Sequence, residues 1–263
     1  MSDKDAPAGS PAILLTERRE GVLIITLNRT HARNAFDLAL ALALEQEIDR
    51  FESDRDLRVA IITGAQGHFS AGADLKAAQR GEIAITEKRG AFGLSRRAPA
   101  KPVIAAVEGY ALGGGFELAI SCDLIVAAES ARFGLPEVSR GVVAVGGALF
   151  RLPRRAPYHF VMELALTGEI VTPASLERHG LVNRVVPAGE ALDAALELAT
   201  RIAANAPLAV KASKQIMRMA FEWSDHDAWD SQWAFALPAL NSEDAREGPR
   251  AFVEKRAPAW TGT

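Results

Sequence analysis

KPVIAAVEGYALGGGFELAISCDLIVAAESARFGLPE, residues 101–137, is the stretch on which the fold turns. It opens with Val103 to Val107, an apolar run whose β-branched residues read as a buried strand. A turn follows at Glu108-Gly109, and then Gly113, Gly114 and Gly115 stand in succession. From Gly115 the spacing becomes helical, with Phe116, Ala119 and Ile120 on one face and Glu117 turned off it. A second apolar run, Leu124 to Ala128, carries the chain on to Phe133-Gly134-Leu135-Pro136-Glu137.

Glycines at a strand-to-helix junction let backbone approach a ligand with no Cβ in the way. The first N–H groups of the helix have no internal acceptor and are free for an oxygen placed there. Glu117 lies within a turn of those donors and Glu137 follows twenty residues on. Free N–H groups for an oxyanion together with two carboxylates are the parts needed for proton transfer beside a carbonyl. Plainer readings stand next to this one. Three glycines also serve tight helix–sheet packing, and a Glu in a first helical turn is a favourable partner for the helix dipole. A dinucleotide-type G-x-G-x-x-G turn is not formed, because Leu118 occupies the third glycine's place.

A second stretch upstream adds to the first. After the strand-like Val59 to Gly64 comes His68-Phe69-Ser70-Ala71-Gly72-Ala73-Asp74-Leu75-Lys76. FSAGADLK, followed by residues 101–123 and FGLPE, resembles the enoyl-CoA hydratase/isomerase (crotonase) superfamily, in the family's order and spacing. The resemblance runs from Asn28-Arg29 to Phe252-Val253-Glu254-Lys255-Arg256. It implies an α/β fold, a crotonase-like spiral of ββα units followed by a C-terminal helical trimerisation region, assembled as a homotrimer or a dimer of trimers. It also implies an acyl-CoA thioester as substrate and no separate cofactor.

Carried over position by position, the resemblance puts the thioester oxygen between the backbone N–H groups of Ala73 and Gly114. Ala71, Asp74, Leu75 and Lys76 complete that binding segment. Glu137 is the proton donor to C2 and Glu117 the residue that activates water for C3 of a trans-2-enoyl-CoA, in a syn addition. Isomerases of the family tend to lack the first Glu, so the pair favours a hydratase. The loop Asn28 to Phe36, including Arg29 and Ala32, is where relatives meet the adenine end of coenzyme A. Thr30 stands there in place of a proline, and Arg29, His31 and Arg33 read equally as solvated surface charge. Phe252 and Lys255 match a tail motif that reaches the adenine or a phosphate, often on a neighbouring subunit; ordinary helix surface is the even alternative.

Departures from the common hydratase pattern lie at Leu135, where many relatives have Gln, and around Ala144, where a proline and then a threonine are missing. Both are expected near the water and acyl sites and bear on the substrate. The run LPE-x-x-x-G…GG-x-x-x-RLP is similar to the carnitinyl-CoA dehydratase/crotonobetainyl-CoA hydratase branch, and a Δ3,Δ2-enoyl-CoA isomerase is a third reading. A non-catalytic acyl-CoA binder would need broken catalytic positions, and none is broken. The related Clp-type serine proteases need a serine in the glycine turn, and there is none.

The totals are ordinary for a globular protein with a good core. The chain has 263 residues, 49% hydrophobic and 24% charged, with net charge −3 and a pI of about 6.0. No basic field invites nucleic acid or an anionic membrane. The lone Cys122 excludes an intrachain disulfide and reads as buried and inert. The five histidines show no metal-ligand spacing, so no metal is expected. No apolar run is long enough to span a bilayer, and the polar N-terminus looks like neither a signal nor a transit peptide, which points to the cytoplasm.

Residues 1–12 read as a disordered tail, 13–200 as the spiral core and 201–263 as the helical oligomerisation region. A hairpin turns near Glu20-Gly21, and Asp37 caps a helix running to about Phe51. Helices are expected at 158–166, from Thr172-Pro173 to Arg178, at 190–204, 207–221 and 225–237, and from Ser242 onward, with a strand at 181–186. Residues 79–98, mixed in charge and rich in glycine, carry no assignable catalytic residue; in relatives this region is mobile and shapes the acyl pocket.

Overall fold

The computed structural model describes residues 12–263, so the expected tail lies, but for Ala12, outside the described residues. Strands β1 (Leu14–Arg19) and β2 (Val22–Leu27) form the hairpin. Glu20 and Gly21 both take positive φ between them, the geometry of a tight hairpin turn. Helix α1 (Leu38–Ser53) starts at Asp37, whose carboxylate accepts from the Leu40 N–H. Its apolar face, Leu40, Ala41, Leu44, Ile48 and Phe51, is buried.

The chain continues through β3 (Val59–Gly64), α2 (Leu75–Gln79), β4 (Ile85–Thr86), β5 (Gly90–Ala91), β6 (Val103–Val107), β7 (Tyr110–Leu112), α3 (Gly114–Ser121), β8 (Leu124–Ala128) and β9 (Arg132–Gly134). Then come α4 (Ala148–Arg151), α5 (Tyr158–Thr167), β10 (Ile170–Val171), α6 (Pro173–Arg178), β11 (Arg184–Val186) and α7 (Ala191–Ala203). The main sheet has the order β1-β2-β3-β6-β8-β11 and is parallel from β2 onward. A second sheet has the order β10-β9-β7, and β4 and β5 pair as a separate ribbon.

Period-2 alternation assigns each strand to two cores at once. Leu23, Ile25, Ala60, Ile62, Val103, Ala105, Val107, Ile125 and Ala127 point into the layer shared with α1 and α3. Val22, Ile24, Val59, Ile61, Ile104, Ala106 and Val126 point the other way, against Ala195, Ala199 and Ala203 of α7. Residue 200 falls within α7, whose Ala195, Ala199 and Ala203 pack on the sheet.

Four more helices close the chain: α8 (Pro207–Met219), α9 (Asp225–Ser231), α10 (Trp233–Leu240) and α11 (Glu243–Glu254). The helix expected at 225–237 starts at Asp225, capped by Ser224, but is two helices divided at Gln232. The strand expected over 181–186 is shorter, because Leu181 and Val182 are buried in the core before pairing with β8 begins at Arg184. The last helix is capped by Ser242 as read. No helix among the described residues is long and apolar enough to cross a membrane.

Candidate active site

Residues 69–73 run between two backbone neighbours. On one side Ser70 donates to the Tyr110 carbonyl (2.7 Å) and accepts from Leu112 N–H (3.1 Å), in register with β7. On the other side Phe36 N–H donates to the Gly72 carbonyl and Asp74 N–H to that of Phe36, each at 2.8 Å. The Ser70 hydroxyl ties the strip down, donating to the Asn34 carbonyl (2.8 Å) and accepting from Gly72 N–H (3.2 Å). These contacts bring the end of the strip against the glycine turn: a Cβ on Gly72 would lie 3.1 Å from Gly114 N and 2.6 Å from the Leu112 carbonyl.

Gly113, with φ +53° and ψ −124°, makes the turn from β7 into α3 and donates to the Gly134 carbonyl (2.8 Å). An L side chain would be strained there, and its Cβ would stand 2.8 Å from the Glu137 carboxylate. Helix α3 begins at Gly114, one residue earlier than its apolar spacing indicates. The N–H groups of Ala73 and Gly114 have no acceptor among the described residues. Both residues line one cavity of about 260 Å³.

Both expected carboxylates line the same cavity. Glu117 is 2% exposed, and its Oε1 accepts from the Ala148 N–H at 3.1 Å. Burial raises its carboxyl above the usual range, against backbone donors at Ala148, Gly146 and Gly147, and the charge of Glu137 adds to the rise. Burial likewise raises Glu137, with Arg140 pulling the other way. Its Oε2 is buried and has no hydrogen-bond partner among the described residues. One acid is thus gripped by backbone while the other keeps an unpartnered oxygen, an arrangement suited to holding water with one carboxylate and delivering a proton with the other.

Among the other expected site residues, Ala71, Asp74 and Leu75 line the cavity. Lys76 is exposed in α2 next to it. Arg29 is different: it is buried, with its Nη2 2.9 Å from Asp37 and 3.0 Å from Asp74, and its Nη1 on the Ala35 carbonyl. Its guanidinium fastens the 29–37 loop to Asp74 and is not solvated surface charge. Ala32 sits half-buried in the turn 30–32, outside the cavity wall. Phe252 and Lys255 lie exposed at the end of α11 and do not reach the cavity of their own chain.

Leu135 and Ala144, expected beside the water and acyl sites, are buried in the core and do not line the cavity. Their neighbours do: Val142, Val143 and Val145 form one wall, with Val143 and Val145 63% and 74% exposed. Ile83, Ile85 and Phe92 line the cavity as well. These three belong to the segment 79–98, anchored by Arg89, a fully buried guanidinium paired with Asp49 (2.5 Å) and Glu52 (2.6 Å). The signal for the valine wall was present as an apolar run without helical period in a glycine-bounded loop. The grip of Gly146 to Ala148 on Glu117 left no trace in sequence, since it joins segments some thirty residues apart. Among the described residues, no group of three or more His, Cys, Asp or Glu stands close enough to hold a metal ion.

The family profile described as Enoyl-CoA hydratase/isomerase matches residues 17–263. An enoyl-CoA hydratase of Mycobacterium tuberculosis is 43% identical over 251 residues, covering 93% of this chain and 94% of its own. A carnitinyl-CoA dehydratase of Proteus mirabilis is 45% identical over 252 residues, covering 93% and 96%. The crystal structure of an enoyl-CoA hydratase from Mycobacterium tuberculosis H37Rv superposes with a TM-score of 0.93 at 50% identity, covering 95% of this chain and 99% of that one.

Proposed function

Because this chain belongs to the enoyl-CoA hydratase/isomerase family, we propose that it is an enoyl-CoA hydratase, adding water to a trans-2-enoyl-CoA to give the 3-hydroxyacyl-CoA. The observation that carries this is a pair of upward-shifted carboxylates, Glu117 buried and Glu137 half-buried, lining one cavity with two free backbone N–H groups. The thioester oxygen takes the N–H groups of Ala73 and Gly114, which hold it more strongly as negative charge develops; losing one such donor typically costs about 3 kcal/mol. Glu117, fixed by the Ala148 N–H, orients and deprotonates the water that attacks C3. Glu137 delivers a proton to C2 from the same side, so the addition is syn. The coenzyme A thioester is substrate rather than cofactor, and the reaction draws on these side chains and backbone groups alone.

A second reading has a specific support: the 45% identity to a carnitinyl-CoA dehydratase. The same carboxylates then run the hydration or its reverse on a polar acyl group. A panel of CoA esters in isotopically labelled water separates the readings. Crotonyl-CoA turned over with label in the product supports the first reading, and turnover confined to crotonobetainyl-CoA supports the second. Double-bond movement without label uptake would identify an isomerase and overturn both.

The assembly is proposed as a homotrimer or a dimer of trimers built through residues 201–263. Helices α8, α9 and α10 bury no residue in the single chain, and Trp229, Trp233, Leu237 and Leu240 are exposed, an apolar surface that a second copy covers. Phe252 and Lys255 would then serve a neighbour's coenzyme A. Light scattering should give a three- or sixfold multiple of 28.1 kDa, and Leu237→Glu should lower it. The proposed setting is the cytoplasm, which cell fractionation tests.

A further inference from the structure

Beyond the C-terminal end of α3 lies a second cavity, of about 720 Å³, that hydration leaves unused. It is lined by residues 122–124, by Phe150, Arg151, Arg154 and Arg155, and by α8. Five cations line it: Arg151, Arg154, Arg155, Lys214 and Arg218. They face only Asp123 and Glu222, a local excess of three positive charges in a chain whose net charge is −3. Both carboxylates are already taken, Asp123 by Lys214 (2.6 Å) and Glu222 by Arg154 (2.8 Å).

The remaining guanidiniums have only carbonyl partners or none. Arg155 donates to the Ile120 carbonyl (2.6 Å). Arg151 donates to those of Gly146 (3.4 Å) and Ser95. Arg218 has no hydrogen bond among the described residues. Burial and the neighbouring cations pull Arg151 down to about 10 and lower Arg155 as well. Arg151 is half-buried while Arg155 and Arg218 are exposed, Asp123 only partly offsets the local positive charge, and the planar forks of arginine suit bidentate oxyanions. The volume falls within the range of small-ligand sites.

We propose that this cavity binds a multiply charged oxyanion of the phosphate class, held between Arg151, Arg155 and Arg218. Arg151 joins it to the active site, since the Gly146 carbonyl it holds belongs to the strand of backbone that grips Glu117. Occupancy therefore alters turnover. The binding stands independently of the hydration reading, while its effect on rate rests on that reading.

The test is calorimetry of the full chain with inorganic pyrophosphate at fixed ionic strength, repeated with saturating butyryl-CoA, and with Arg218→Glu and Arg155→Gln. One site per chain, undisturbed by butyryl-CoA and weakened about tenfold or more in both variants, is the expected result. Arg218 is exposed, so its variant should fold even if the Arg155 variant does not. Absence of binding overturns the proposal. So does displacement by butyryl-CoA, which would place the anion in the coenzyme A groove. So does a changed oligomer mass in Arg218→Glu without any anion binding, which would mean that carboxylates of a second copy fill the cavity. The rate effect is read separately, as a change in kcat with pyrophosphate that Arg218→Glu abolishes.

Discussion

Gly146→Ala puts one methyl group where the proposed chemistry has least room. Gly146 has no positive φ, so alanine meets no backbone strain of its own. Its Cβ would stand 2.6 Å from Glu117 Oε2 and 2.6 Å from Phe92 Cε2, and real Cβ atoms essentially never come within 3.0 Å of such neighbours. Both neighbours are buried and the other Glu117 oxygen is tied to Ala148 N–H, so relief requires the carboxylate to move by roughly 0.5–1 Å. A misplacement of that size costs about 10²-fold in rate, or about 2.7 kcal/mol. Overpacking should also lower stability by roughly 1–3 kcal/mol. Hydration of crotonyl-CoA, followed by loss of its enone-thioester absorbance, should show kcat falling with KM nearly unchanged, because the coenzyme A end is untouched. Gly248→Ala is the control, since its Cβ meets Trp260 at an ordinary 3.4 Å. Wild-type kcat and melting temperature in Gly146→Ala would refute the packing of this backbone on Glu117.

Glu137→Gln should be more stable than wild type at neutral pH. Burial raises the folded-state pKa, so the folded chain keeps that proton longer than the unfolded one and loses stability as pH rises from the ordinary carboxylate range through the raised value. Melting temperatures against pH should show the variant's advantage vanish below about pH 4. Arg29→Ala should destabilise the fold by about 3 kcal/mol in urea titrations, because it leaves Asp37 and Asp74 without their shared cation, and any active fraction should keep a wild-type KM. Burial holds the Cys122 thiol well above its usual range, so alkylating reagents should leave it untouched in the folded protein and modify it on unfolding.

Where one residue's environment is local, sequence was a good guide. The β-branched runs became β3, β6 and β8, and Asp37, Asp74 and Thr172 cap helices where their side chains accept the orphan N–H groups. The glycine turn and both carboxylates came to one cavity because the motif itself contains strand, turn and helix. What failed was long-range. Whether Arg29 is solvated or pairs with an internal acid depends on Asp74, forty-five residues away. Leu135 and Ala144 stand out by comparison with the family pattern, but their side chains pack inward while the next valines face the cavity. The short strands β7 and β9 carry too few residues to show a period, and only their pairing defines them. The break at Gln232 falls where polar 225–232 gives way to apolar 233–240, with no Gly or Pro at the junction to mark it.

The central claim is that Glu117 and Glu137 act together on the enoyl thioester, and kcat/KM of Glu117→Gln and Glu137→Gln on the ester that wild type hydrates tests it most directly. Gln keeps the shape of each side chain and removes its ability to carry a proton. Each variant should lose about 10²–10⁴-fold, with the double variant losing far less than the product of the two, since both serve one step. Wild-type activity in either single variant, with the fold intact, would contradict the shared role of the two acids.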